Sequence, residues 1–276
     1  MISFGSRSRR SWLLAAAVVA MLPFAISGRS LTAELPETIE IKDMTWVEVR
    51  SALAAGYTSV IIPTGGIEQN GPHMVLGKHD YLVTYAAGTI AKNAGRTLIA
   101  PVISYVPEGA YDPPTGHMRF PGTLGVPEAV FAGVIDGVAR SLKTAGFKYI
   151  FLIGDHGQSQ PVQAEVARKL SEEWKSSGVR VIQISEYYAT APQTALLEKQ
   201  GFSRETIGFH ASVIDTSELM AVHPKGVDLA RYSRGKTSRE PSGVHGNPVR
   251  STPELGTNLL SMRIEAASTR IKSERH

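Results

Sequence analysis

The chain has 276 residues, 42% of them hydrophobic and 20% charged, which gives material for one substantial core and excludes a disordered or fibrous protein. The net charge of +4 sits in the leader: residues 1–33 hold Arg7, Arg9, Arg10 and Arg29 and no acidic residue, so the remainder sets 25 of the 29 basic side chains against 25 acidic ones. That balance gives no electrostatic ground for nucleic acid or anionic lipid as a partner, and the absence of cysteine excludes disulfides, thiolate metal sites and a cysteine nucleophile.

In chain order, the first expected element is a signal peptide over residues 1–33. Arg7 to Arg10 precedes an apolar run from Trp12 to Ile26 that ends in small residues and is short for a bilayer span. Cleavage is expected after Ser27 or Ala33. Ser8-Arg9-Arg10-Ser11-Trp12-Leu13 resembles the twin-arginine export signal, an address for proteins exported already folded, so a periplasmic or secreted protein is expected. No later segment is apolar for long enough to cross a membrane, and the mature chain, residues 34–276, is expected to be one domain free of the membrane.

Thr45-Trp46-Val47-Glu48 predicts a capping box opening a helix to about Ala55, followed by a buried strand from Thr58 to Ile62. A helix is predicted over Asp80–Ala94 with Gly95 behind it, then a strand over Thr97–Ile103 and a Pro/Gly-rich loop from Ser104 to Val126. Pro127 is expected at the first helical position of a helix reaching Ala145, and Tyr149–Ile153 forms the most apolar strand. Pro161–Ser177 repeats the helical device with Gly178 as its stop, and Val179–Ile184 supplies a last strand. Strands alternating with helices of this length predict an α/β fold: a single domain with a mainly parallel sheet flanked by helices on both faces.

In such sheets the site lies beyond the carboxyl ends of the strands, which directs attention to the loops after them. The first runs from Gly65 through Glu68, Gln69, Asn70 and His73 to His79 and Asp80; a carboxylate followed by imidazole and carboxylate on a glycine-hinged loop can converge on one divalent cation. A second strand end carries Gly154-Asp155-His156-Gly157-Gln158. A lone histidine is more often a satisfied structural residue than a ligand; two at corresponding strand ends are not readily accidental. Glu108, Tyr111 and Asp112 of the long loop set specificity or form a solvated lid. Glu186-Tyr187-Tyr188 lines the site or packs, and the basic cluster from Arg231 to Arg239 is a solvated loop or an oligomer contact.

Glu68-Gln69-x-Gly71-Pro72-His73-x-x-Leu76-Gly77 resembles the signature loop of the creatininase family, the creatinine amidohydrolase-like metallohydrolases. Further blocks resemble the family in order: Gly116-His117-Met118-Arg119-Phe120-Pro121-Gly122-Thr123, Gly154-Asp155-His156-Gly157, His210-Ala211-Ser212 with Asp215-Thr216-Ser217, and Gly243 to Pro248. The resemblance covers about residues 42 to 262. It implies an α/β fold that commonly assembles into hexamers, hydrolysis of cyclic amides and related C–N bonds, and zinc, manganese or iron as cofactor. Carried over by position, it implies Glu68 and His156 as metal ligands, His210 as acid or base, and Asp215 as its neighbouring carboxylate.

The departures also have consequences. Asn70 stands where the family has a histidine, His79 where it has a bridging aspartate, and Gln158 where creatinine-hydrolysing members have a glutamate. Neutral amides are poor ligands beside imidazole and carboxylate, so the resemblance implies a single ion, zinc before manganese or iron, on Glu68, His79 and His156. Asp80 replaces His79 through a one-residue bulge or orients it. Asn70, His73, His117 and Gln158 are assigned to the substrate pocket, with His73 and His117 open to contact with either substrate or metal. The expected function is metal-dependent cleavage of a C–N bond in a small cyclic or linear amide; the alternative is a degenerate member acting as a periplasmic binding or assembly protein.

Overall fold

Residues 37–235 and 242–275 are described in the computed structural model; the leader with Arg9, Arg10 and both expected cleavage points lies outside them, as does part of the Arg231–Arg239 cluster. Four strands, β1 (Ser59–Thr64), β2 (Thr97–Ile99), β3 (Tyr149–Gly154) and β4 (Arg180–Gln183), form one parallel sheet in the order β2-β1-β3-β4. Nine α-helices are described: α1 (Trp46–Ala54), α2 (Lys78–Ala94), α3 (Glu128–Ala145), α4 (Ser159–Glu173), α5 (Ala191–Lys199), α6 (Arg204–Ile207), α7 (Val213–Val222), α8 (Leu229–Gly235) and α9 (Pro253–Ser273). None of the described helices is long and apolar enough to cross a membrane.

The pleat sorts the central strands into two cores. Val60, Ile62, Ile150 and Leu152 face α1, α3 and α4 through Ala52, Phe131, Ile135, Val166 and Leu170. Ile61, Phe151 and Ile153 face α2 and α9 through Leu82, Ile90, Leu260 and Ile264. Helices therefore cover both faces, as the unbroken apolar runs of β1 and β3 require.

Local chemistry set most boundaries. Thr45 Oγ1 accepts from the Glu48 backbone N–H at 3.3 Å while Glu48 Oε2 accepts from the Thr45 N–H at 2.6 Å, a complete capping box. Strand β2 stops at Ile99, short of the expected Ile103: the Ala100 N–H still reaches the Ile61 carbonyl, but the next bond to β1 comes from Ile103 instead of Val102, and Ile103 returns as a single bridge to Thr64. Pro127 is the residue before α3 rather than its first, with ψ 148°, and α4 starts at Ser159, ahead of Pro161.

The chain leaves β1 toward β2 on one side and later returns to place β3 on the other, registered Ser59 to Tyr149 and Thr64 to Gly154. This reversal opens a crevice beyond Thr64 and Gly154, the place where open α/β sheets bind their ligands.

Candidate metal centre

The loop after β1 is folded inward by its own polar groups. Asp80, early in α2, accepts from the Gly66 N–H at 3.1 Å and from Ser104 Oγ at 2.5 Å. A Cβ on Gly65 would lie 1.8 Å from Asp80 Oδ1, so only glycine permits this closure. The Asn70 amide donates to the carbonyls of Glu68 at 3.0 Å and Val75 at 3.1 Å. With its backbone braced in this way, Glu68 points into the crevice and is 1% exposed.

Its two carboxylate oxygens meet different surroundings. On the Oε2 side, His156 Nε2 lies at 3.0 Å and His117 Nε2 at 3.2 Å. Glu108, delivered by the long loop, brings Oε2 to 3.2 Å from the same His156 nitrogen. The donor atoms of Glu68, Glu108, His117 and His156 all lie within 4.8 Å of one another. Glu108 is fully buried, and apart from the His156 contact neither of its oxygens has a hydrogen-bond partner among the described residues. Burial pushes the Glu108 carboxyl up. Burial alone would lower His156, but the Glu108 and Glu68 carboxylates outweigh it and push its imidazole up to about 9.

On the Oε1 side, His79 Nε2 lies at 2.6 Å, Lys78 Nζ at 3.4 Å and His210 Nδ1 at 3.7 Å. His79 Nδ1 faces Asp155 Oδ2 at 2.7 Å, so both of its ring nitrogens meet carboxylates. Asp155 is held by Tyr187 Oη at 2.9 Å and by Arg263, which also reaches Glu218 at 2.7 Å and the Tyr187 carbonyl at 2.8 Å. Burial opposes charge on Asp155, yet Arg263 and His79 bring it down to about 2. On Glu68, too, burial is outweighed, by His79 and Lys78, and its carboxyl is held well below the usual range. His210 stands beside the left-handed residue Ala211 (φ 51°), with Nε2 2.9 Å from the Gln69 carbonyl. Burial, followed by the nearby Lys78, takes His210 down to about 4, so it is neutral at pH 7.

The expected residues separate into groups. Glu68 and His156 share the donor set. His117, assigned to the pocket from sequence, joins it, and so does Glu108, which was read as a specificity or lid residue; the long loop folds inward and carries both. His79 is turned toward Asp155 and the Oε1 side of Glu68, opposite the oxygen that faces Glu108, His117 and His156, and Asp80 ties loop to helix, so neither of these expected ligands belongs to the group of four. Asn70 and His73 do not line the cavity: Asn70 braces the loop and His73 Nε2 pairs with Thr216 Oγ1 at 3.0 Å. Gln158, His210 and Asp215 do line it, with Glu68, His117 and His156, around a volume of about 530 Å³. Tyr188 also lines this cavity, whereas Tyr187 is buried beneath it. Lys78, which sequence reasoning passed over, is buried at its floor.

Comparison with known proteins supplies context for this arrangement. The chain is 25% identical over 202 residues to creatinine amidohydrolase of Pseudomonas putida, covering 71% of this chain and 76% of that protein. It is 26% identical over 193 residues to 3-dehydro-scyllo-inosose hydrolase of Thermotoga maritima, covering 70% and 58%. It is 25% identical over 223 residues to the mycofactocin precursor peptide peptidase of Mycolicibacterium smegmatis, covering 77% and 84%. Among solved structures, a mutant creatininase of Zn-Zn type superposes with a TM-score of 0.72 at 22% identity, over 87% of this chain and 99% of that one. A manganese creatininase superposes with the same TM-score at 21% identity, over 86% and 99%. The sequence profile described as creatininase, creatinine amidohydrolase, matches residues 42–271. A parallel sheet with its crevice at the β1/β3 reversal, a buried Glu/His cluster in that crevice and a profile match over nearly the whole described chain together place this protein in the creatininase family.

Proposed function

We propose that this protein is a metal-dependent hydrolase that cleaves an amide-type C–N bond in a small substrate, with one divalent ion held by Glu68, Glu108, His117 and His156. The observation that carries this reading is Glu108. Its fully buried carboxylate has His156 Nε2 at 3.2 Å beside Oε2 and converges on the same point as Glu68 Oε2 and His117 Nε2; two carboxylates and two imidazoles packed this closely are a costly arrangement that a shared cation relieves. Two carboxylates and two imidazoles suit zinc, manganese or iron, and zinc and manganese are the metals in the names of the solved relatives. When bound, such an ion supplies Lewis acidity and an activated water near neutral pH.

The chain's own groups complete the chemistry. His210, neutral at pH 7, has Nε2 2.9 Å from both the carbonyl and the side-chain amide of Gln69 and lines the cavity, where its imidazole can take a proton from water and return it to the leaving nitrogen. Asp215, fixed by Lys78 at 3.0 Å, adds a carboxylate to the wall. The cavity volume of about 530 Å³ suits a small substrate. A C–N bond is favoured because an amidohydrolase and a peptidase are both among the relatives. Elemental analysis of the mature protein and of Glu108→Gln, joined to a screen of cyclic and linear amides, tests the reading. The parent should retain about one ion per chain and hydrolyse an amide, and the variant should lose both. A parent that retains no ion and turns over no amide would be a binding protein instead.

A further inference from the structure

Lys78 is the first residue of α2, where the helix dipole disfavours a positive charge, and its side chain is only 1% exposed, where an ammonium without partners is costly. Two carboxylates from different elements offset these costs. Glu68, from the loop after β1, places Oε1 3.4 Å from Nζ, and Asp215, from the first turn of α7, places Oδ1 at 3.0 Å. Two carboxylates converging on one buried point is how a bridging pair would hold a metal ion, and here that point is filled by a side-chain cation. The other groups on this side are already engaged, His79 by Glu68 and Asp155 and His210 by the Gln69 carbonyl. Glu68 Oε2 alone faces the donor set of Glu108, His117 and His156.

We infer that Lys78 is the resident second cation of this centre: its ammonium holds the Oε1 side of Glu68 together with Asp215 and so limits the site to one metal ion, on the Oε2 side. The inference rests on the proposed metal site and assigns what keeps it mononuclear. A second divalent ion bridging Glu68 and Asp215 would have to displace Nζ or lie against it, and like charges at contact distance in a buried site repel strongly.

The test is zinc content after dialysis, with calorimetric zinc titration and thermal melts, on the full mature chain and on Lys78→Arg, Lys78→Met and Lys78→Ala. The parent and Lys78→Arg should hold one ion. Lys78→Ala, which vacates the space between the two carboxylates, should admit a second, and Lys78→Met should bind the first ion about tenfold or more tightly because a like charge is gone. If Lys78→Ala folds only with zinc, recovery at two ions per chain supports the inference. Recovery at one ion, or no recovery at any zinc concentration, overturns it. It is also overturned by a parent that already holds two ions, or by folded neutral variants that hold one with unchanged affinity; in both cases the metal site stands. A parent that holds no zinc removes the metal site itself, and the second-cation role with it.

Discussion

If Glu68, Glu108, His117 and His156 hold a metal ion as proposed, the protonation of His156 should make its uptake steeply dependent on pH. In the ion-free protein its Nε2 lies between Glu68 Oε2 at 3.0 Å and Glu108 Oε2 at 3.2 Å, and these carboxylates hold its proton to about pH 9. A metal ion needs the same nitrogen unprotonated. At pH 7, about two units below that value, on the order of one molecule in a hundred is ready to bind, a handicap of roughly 3 kcal/mol. Apparent affinity for zinc should therefore climb about tenfold per pH unit from 6 to 9 and then level off, with about one proton released from His156 per ion bound at pH 7. Calorimetry in buffers of different ionisation enthalpy measures that proton, and the His156 ring resonances of the ion-free protein report the titration directly. Replacing Glu108 with Gln removes the strongest of the interactions that raise His156, so its titration should move toward the ordinary histidine range. The sign for stability runs the other way from that for uptake. A histidine whose pKa is raised on folding stabilises fully below its unfolded value near 6.5, and the contribution is lost as pH rises through about 9. About 2.5 units make this roughly 3 kcal/mol in the ion-free protein. A His156 that titrates near 6.5, or zinc affinity that is flat from pH 7 to 9, would refute the reasoning.

Three further outcomes are expected. Arg263→Met strands Asp155 and Glu218, two carboxylates that are 2% and 1% exposed, and should cost about 3–5 kcal/mol in urea unfolding; a loss under about 1 kcal/mol would mean the network contributes little. His210→Ala should keep its metal and lose about 10²–10⁴-fold in turnover, and loss of the ion instead would make it a ligand. The Arg9-Arg10 pair suggests that changing both to lysine will stop periplasmic delivery of a tagged chain, whereas unchanged delivery would rule out the twin-arginine route.

Much of the fold could be read from the sequence because its signals are local. The Thr45–Glu48 box and the glycines at 95, 146 and 178 act within a turn of where they stand, and the apolar runs of β1 and β3 need only the knowledge that central parallel strands are buried on both faces. Glu68 and His156 were legible for a related reason, since each follows a strand end where function concentrates. His117 was legible only as a residue for substrate or metal contact, and the place of Glu108 in the donor set was not legible at all. Glu108 lies in a loop without periodicity, where Pro and Gly say that the chain turns but not that it folds inward to full burial. The pair His79-Asp80 left two candidates because the choice depends on where α2 begins: starting at Lys78, it turns His79 toward Glu68 and Asp80 toward Gly66 and Ser104. Lys78 reads from composition as a solvated helix end, and only its convergence with Glu68 and Asp215 in space shows otherwise.

The line from Glu68 through His79 and Asp155 ends at Arg263, on the last helix of the chain. That placement gives the centre an order of assembly during synthesis. While α9 is still inside the ribosome, Asp155 and Glu218 lack the guanidinium they share, and the aspartate that anchors His79 is itself unanchored. The loops that carry the candidate ligands are translated long before the residue that stabilises their support, so on the proposed reading ion capture should await the finished polypeptide. A stop codon between His156 and α9 should therefore disable the proposed centre even though every candidate ligand has already been made.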